Sequence, residues 1–178
     1  MSGDTIDAGS FSEWLEQIRA ALDDGADAVV PCGACTACCT SSQFVHIDPD
    51  ELDALAHIPV TLRFPAPGLP DGHVVLGYDE HGRCPMLGQH GCTIYEHRPR
   101  ACRTYDCRVF AATGVEPDAS QPAVAAQVRR WRFSHHTRED RVLQDEIRAA
   151  VPSSGPPIER ALRALSSRPT PPGAPSPA

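Results

Sequence analysis

Eight cysteines spaced C-x2-C-x2-C-C and then C-x7-C-x9-C-x4-C constrain this chain more than any other feature. They are Cys32, Cys35, Cys38 and Cys39, followed by Cys84, Cys92, Cys102 and Cys107. Thiolates this close in sequence can close on one ion or cluster without a long loop, so the pattern points to metal ligation. The other use of many cysteines is a disulfide framework, which needs an oxidising compartment. The opening residues, MSGDTIDAGS, are acidic and lack the apolar stretch of an export signal. No apolar run reaches the roughly 18 residues of a membrane-spanning helix. The expected setting is the reducing cytoplasm, with free thiols available to a metal.

Composition sharpens the same point. Of 178 residues, 41% are apolar and only 6% aromatic, a modest core for one domain, so metal cross-links would add stability that burial does not supply. The net charge of −7 argues against general binding to nucleic acid or anionic membranes. All 16 basic residues are Arg, and Lys and Asn are absent, as a GC-rich bacterial genome would give.

The coarse pattern predicts helices on either side of the cysteines. Ser10, with Glu13 three residues on, predicts a helix start, and Phe11, Trp14, Leu15, Ile18, Ala21 and Leu22 fall on one face, with Gly25 as a stop. Residues 31–40 read as a ligand loop. Asp48, Pro49 and Glu51 announce a second helix with Leu52, Leu55 and Ala56 facing inward. Residues 73–78 are β-rich and, through a turn at 79–82, predict a hairpin into 83–87; another turn falls at 88–91. A helical turn is expected after Pro99. Residues 122–151 read as helix in two pieces broken near 135–137, and Ile158, Ala161, Leu162 and Leu165 mark a last amphipathic helix. The Pro-rich end predicts disorder. The expectation is a small, irregular, metal-stabilised α+β protein, its helices flanking a cysteine-rich core with a short β-hairpin. Its parts would be an N-terminal helix (1–30), the cysteine-cluster region (31–108), a helical extension (109–165) and a disordered tail (166–178).

The ligand spacing carries the chemistry. Cys32, Cys35 and Cys38 have the C-x2-C-x2-C spacing of three ligands to a 4Fe–4S cluster, and Cys84 is followed by Pro85. C-x2-C is also half a zinc knuckle. Cys38 and Cys39 are adjacent, and neighbouring side chains diverge in either a helix or a strand. Either this pair feeds two sites, or one sulfur is spare. Eight thiols divide into two four-sulfur sites, each shared between the two halves; a single cluster with free thiols is the alternative. Four thiolates on zinc, or on an oxidised 4Fe–4S core, leave a charge of about −2 that needs compensating donors. Arg83, Arg98, Arg100, Arg103 and Arg108 surround the second cysteine group. Cys102, three residues after Pro99, falls in a first helical turn whose backbone N–H groups favour a thiolate.

Other chemistry is thinly represented. The eight histidines show no paired-ligand spacing, although His90 and His97 flank cysteines. Arg129, Arg130, Arg132, Arg138 and Arg141, near Trp131, are followed by acidic residues and read as a solvated helix face. Dinucleotide, phosphate-loop and nucleophile-elbow motifs are absent. Overlapping C-x-x-C pairs would suit thiol–disulfide exchange, but such chemistry needs two thiols rather than eight.

The elements CGACTACCT and RCPMLGQHGCTIYEHRPRACRTYDC together resemble the YkgJ-like cysteine-cluster family, whose CxxCxxCC domain is described as zinc- or iron-chelating. The family's CxxCxxCC start falls on Cys32, Cys35, Cys38 and Cys39. Its C-P-x-L element falls on Cys84, Pro85 and Leu87, and its C-x-I-Y-x-x-R-P run on Cys92, Ile94, Tyr95, Arg98 and Pro99. Its C-R-x-[FY]-x-C end falls on Cys102, Arg103, Tyr105 and Cys107. The resemblance covers residues 31–108. Members are often labelled iron–sulfur oxidoreductases, and a related region occurs in flagellin lysine N-methylases. The combined expectation is a cytoplasmic protein with all eight cysteines as ligands, an iron–sulfur cluster favoured over zinc, and a redox or electron-transfer role. The alternatives are a zinc-bound structural or interaction module and a component of a lysine N-methylase-like enzyme; if an enzyme, an iron–sulfur oxidoreductase. The acidic surface and Pro-rich tail point to a protein partner.

Overall fold

The computed structural model describes residues 4–24 and 27–167, and Gly25 and positions 168–178 of the expected tail lie outside them. Within these residues the protein is a small α+β structure organised around two apolar clusters, one helical and one built on a sheet.

The helical cluster joins the two ends of the chain. Strand β1 (Ile6–Ser10) runs directly into helix α1 (Phe11–Asp24), which buries Phe11, Trp14, Leu15, Ile18 and Ala21 as the periodicity predicts, while Leu22 stays exposed. Each large side chain buried this way contributes about 1.5–3 kcal/mol. β1 pairs in parallel with β7 (Trp131–Ser134), with Ile6 opposite Trp131. Residues 131–134 are thus a strand, where the sequence predicts helix. Trp131 is β-favouring, its side chain is buried, and the ladder to β1 outweighs the helical pattern of its neighbours. The flanking segments are helical as expected: α5 (Pro122–Val128) and α6 (Arg138–Ala149). Thr137 accepts from the Asp140 backbone and Asp140 reaches back to Thr137, so a capping box starts α6 where the sequence places the break. Helices α4 (Arg108–Thr113) and α7 (Pro157–Ser166) complete the cluster through Val109, Phe110, Ala161, Ala164 and Leu165.

The second cluster rests on a three-stranded antiparallel sheet in the order β2 (Val45–Ile47), β4 (Val74–Leu76), β3 (Arg63–Pro65). The expected partner of residues 73–78 was 83–87. The turn forms, with Gly82 N–H donating to the Asp79 carbonyl at 2.9 Å, but β4 pairs with β2 and β3 instead. That pairing buries Ile47 and Leu76 together, which a local hairpin would not do. The short hairpin lies further on, β5 (Leu87–Gly88) with β6 (Gly91–Cys92). Helix α2 (Leu52–His57) buries Ala54, with Leu55 half-buried and Ile58 just beyond it; Leu52 and Ala56 are exposed, so its inward face differs from the expected one. The helix begins after Glu51 rather than at Pro49, which shifts the inward face along the sequence. The turn after Pro99 is helix α3 (Arg100–Arg103), as expected.

Candidate metal centre

The loop at 31–41 lies between the two clusters. Cys35 N–H donates to the Cys32 carbonyl at 3.0 Å, and Gly33 takes a left-handed φ of 56° that closes this turn. A 3-10 turn at Cys38–Thr40 follows, held by the Ser41 hydroxyl donating to the Ala37 carbonyl at 2.6 Å. Successive side chains in such a turn diverge by about 120°. Cys38 and Cys39 therefore face different surroundings. The two halves of the cysteine pattern are tied by backbone bonds: Cys84 N–H to the Cys39 carbonyl at 2.7 Å, and Ser42 N–H to the Gly82 carbonyl at 2.9 Å.

Mutual electrostatic influence sorts the thiols into two neighbourhoods, linked to each other through Cys35, Cys38 and Cys39. Cys38 feels the charges of Cys107, Cys39, Cys32 and Cys35; Cys107 feels Cys32 and Cys35; Cys32 feels Cys35. Cys102 feels Cys39, Cys84 and Cys92; Cys39 feels Cys84 and Cys92, with Cys35 behind them; Cys84 feels Cys92. One group is Cys32, Cys35, Cys38 and Cys107, and the other is Cys39, Cys84, Cys92 and Cys102. Each draws on both halves of the sequence pattern, and the adjacent pair is divided between them. Cys107 belongs to the helical cluster, while Cys84 and Cys92 pack against the sheet cluster.

Burial is the main cause of the thiols' raised pKa values. It pushes Cys39 up to about 11 and Cys102 up to about 12, with the neighbouring cysteines adding to both. Cys107 is pushed up to about 12 by burial, against a hydrogen bond from the Trp131 indole N–H to its Sγ at 3.2 Å. Burial also raises Cys38, Cys32 and Cys84. Tyr105, beside Cys38 and Cys107, is raised as well, by burial first. Clustered thiols that resist ionisation on their own suit a cation, which replaces several protons at once. All eight are free of disulfides.

Seven of the eight cysteines line one cavity of about 1420 Å3, with Cys107 behind it in the core. Arg83, Arg98, Arg103 and His90 share the lining. Arg98 stacks on Tyr95 at 3.7 Å and favours the thiolate forms of Cys32, Cys39 and Cys102. Arg103 is held to Asp27 at 3.3 Å, and its buried Nε has no protein partner among the described residues, a donor suited to a thiolate-bound group. The other two arginines are held by carboxylates, although Arg108 also favours the Cys32 thiolate. Arg100 pairs with Asp48 and Asp50 at 3.2 and 3.3 Å. Arg108 forms a buried ion pair with Asp106 at 2.8 Å and donates to the Ala8 and Val29 carbonyls, fixing Cys107 between them in sequence. His97 turns away from the cysteines to Asp53 and stacks on His57.

Sequence reasoning missed two histidine–carboxylate clusters, His46–Asp48–His73 and Asp53–His57–His97. The signals were His46 on a strand with Asp48 just past its end, and Asp53 and His57 four apart on a helix. The partners His73 and His97 arrive only through tertiary pairing. Trp131 was read as part of a solvated face and is instead the donor to Cys107.

The family model for CxxCxxCC, described as "Putative zinc- or iron-chelating domain", matches residues 31–121. The chain belongs to this family. The match continues past residue 108, where the resemblance read from the motifs ends, to take in α4. No match was found among curated proteins or among solved structures. No helix among the described residues is long and apolar enough to cross a membrane.

Proposed function

We propose that the protein is an iron–sulfur protein with a redox or electron-transfer role, its eight cysteines serving as two four-thiolate ligand sets. The observation that carries this reading is the gathering of the thiols around one cavity, with each electrostatic neighbourhood drawing on both halves of the pattern. The first set also has the C-x2-C-x2-C spacing with a distant fourth cysteine.

A thiolate-bound iron–sulfur cluster supplies one-electron transfer. The protein's own groups do the rest. Arg98 and Arg103 offset negative charge, Trp131 donates to the Cys107 sulfur, and the Asp106–Arg108 pair holds that cysteine in the core. The other seven thiols are partly buried along the cavity.

Zinc as a structural cross-link is the second reading, favoured by the position of the thiols between two apolar clusters. Anaerobic purification separates the two. The iron–sulfur reading expects a coloured protein with broad visible absorption that dithionite changes reversibly. A colourless, redox-silent protein with stoichiometric zinc that unfolds on chelation overturns it.

A further inference from the structure

The three-stranded sheet carries a second kind of donor set, made without sulfur. On β2, Ile47 is fully buried, so His46 and Asp48 project from the opposite face. The register pairs Val45 with Leu76 and Ile47 with Val74, which brings His73 beside Asp48. His46 Nε2 and His73 Nδ1 lie 3.2 Å apart with their rings nearly parallel. Asp48 Oδ1 is 3.2 Å from His73 Nδ1 and 3.8 Å from His46 Nε2. Three electron-rich atoms thus converge at separations between 3.2 and 3.8 Å. Tetrahedral ligands at about 2.05 Å from one ion stand about 3.4 Å apart.

We infer that His46, Asp48 and His73 form a sulfur-free binding site for one divalent first-row transition ion, separate from the cysteines. Val45 and Leu76 line the cysteine cavity at one end of the strand pair, His46 lies in its middle, and Asp48 and His73 lie past its other end. Two neutral imidazoles and one carboxylate suit zinc, ferrous iron or nickel rather than a thiophilic ion. The carboxylate is positioned from outside. Its Oδ2 is held by Arg100 at 3.2 Å, leaving Oδ1 toward the imidazoles, and the Asp48 backbone N–H donates to Glu51 at 2.9 Å. Three protein donors leave at least one coordination position open.

The Asp53–His57–His97 cluster is a weaker candidate and a useful control. It is more exposed, its rings stack face to face at 3.5 Å, and His57 Nδ1 is already 2.9 Å from the Asp53 carbonyl.

The test uses the full chain, isolated anaerobically with its cysteine-bound metal assayed, then titrated with Co2+. One further equivalent should bind, with visible bands free of thiolate-to-cobalt charge transfer. His46→Gln and His73→Gln should each weaken it by more than about 100-fold, since changing even a group that only orients a ligand costs about 10–100-fold. His57→Gln should leave it intact, and the cysteine-bound metal content should be the same in all variants, which reports folding. The inference fails if no further equivalent binds, if its spectrum carries thiolate charge transfer, or if binding survives both substitutions.

Discussion

Replacing Asp106 by Asn should cost the fold about 3 kcal/mol. The Asp106 side chain is 1% exposed and accepts from the Trp14 indole at 2.8 Å, from the Arg108 backbone N–H at 2.9 Å and from Arg108 Nε at 3.0 Å. Asn keeps the shape and one acceptor oxygen but removes the charge, leaving the Arg108 guanidinium buried without its counter-ion. Breaking a buried pair from one side costs about 3–5 kcal/mol. The lower end applies because Arg108 keeps two carbonyl acceptors, Ala8 at 3.1 Å and Val29 at 2.7 Å. A loss of about 3 kcal/mol is roughly a 150-fold change in the folding equilibrium. Urea unfolding followed by tryptophan fluorescence, at matched metal content, measures it directly, because Trp14 is itself a partner. A midpoint shift worth less than about 1 kcal/mol would refute the claim that this pair anchors Cys107.

Three other outcomes are expected. Trp131→Phe removes the N–H donor to Cys107 Sγ; if the site holds an iron–sulfur cluster, its potential should fall by a few tens of millivolts (~1 kcal/mol for the lost hydrogen bond), as voltammetry would show. Gly82→Ala should destabilise by about 1–2 kcal/mol in the same urea assay, because φ at Gly82 is +73° and an added Cβ would come within 2.2 Å of the Ser42 hydroxyl. Finally, Cys39, Cys102 and Cys107 have folded-state values of about 11 to 12 against about 8.5 in an unfolded chain. Their raised values stabilise the metal-free fold fully below about pH 8.5, and this is lost as pH rises through 11 to 12. The urea midpoint of the metal-free chain should therefore fall between about pH 8 and pH 10.5, and that of the metal-bound chain should change less.

Local signals in the sequence were informative where local chemistry decides. The face of α1, the break before α6, the helical turn after Pro99 and the Gly88–Gly91 turn all follow from periodicity and turn residues. Trp131 was misread because its strand exists only through β1, which lies at the far end of the chain. The partner of residues 73–78 was misread for the same reason, since the choice among strands is made by burying Ile47 with Leu76. At the site, the adjacency of Cys38 and Cys39 already implied two surroundings. Which distant cysteine joins which group depends on α3 and α4: Cys102 sits in one, and Cys107 immediately precedes the other. The histidine clusters carried no adequate local signal, because each takes one member from a different element.

The most direct test of two thiol groups, each shared between both halves of the pattern, is anaerobic metal stoichiometry in serine variants. Cys107→Ser and Cys102→Ser should each remove about half of the wild-type metal, from different groups, and the double variant should lose nearly all of it. Cys38→Ser should behave like Cys107→Ser, and Cys39→Ser like Cys102→Ser. The account is contradicted if a fragment comprising residues 1–72 holds a full complement of metal at Cys32, Cys35, Cys38 and Cys39, or if Cys38→Ser and Cys39→Ser deplete the same metal.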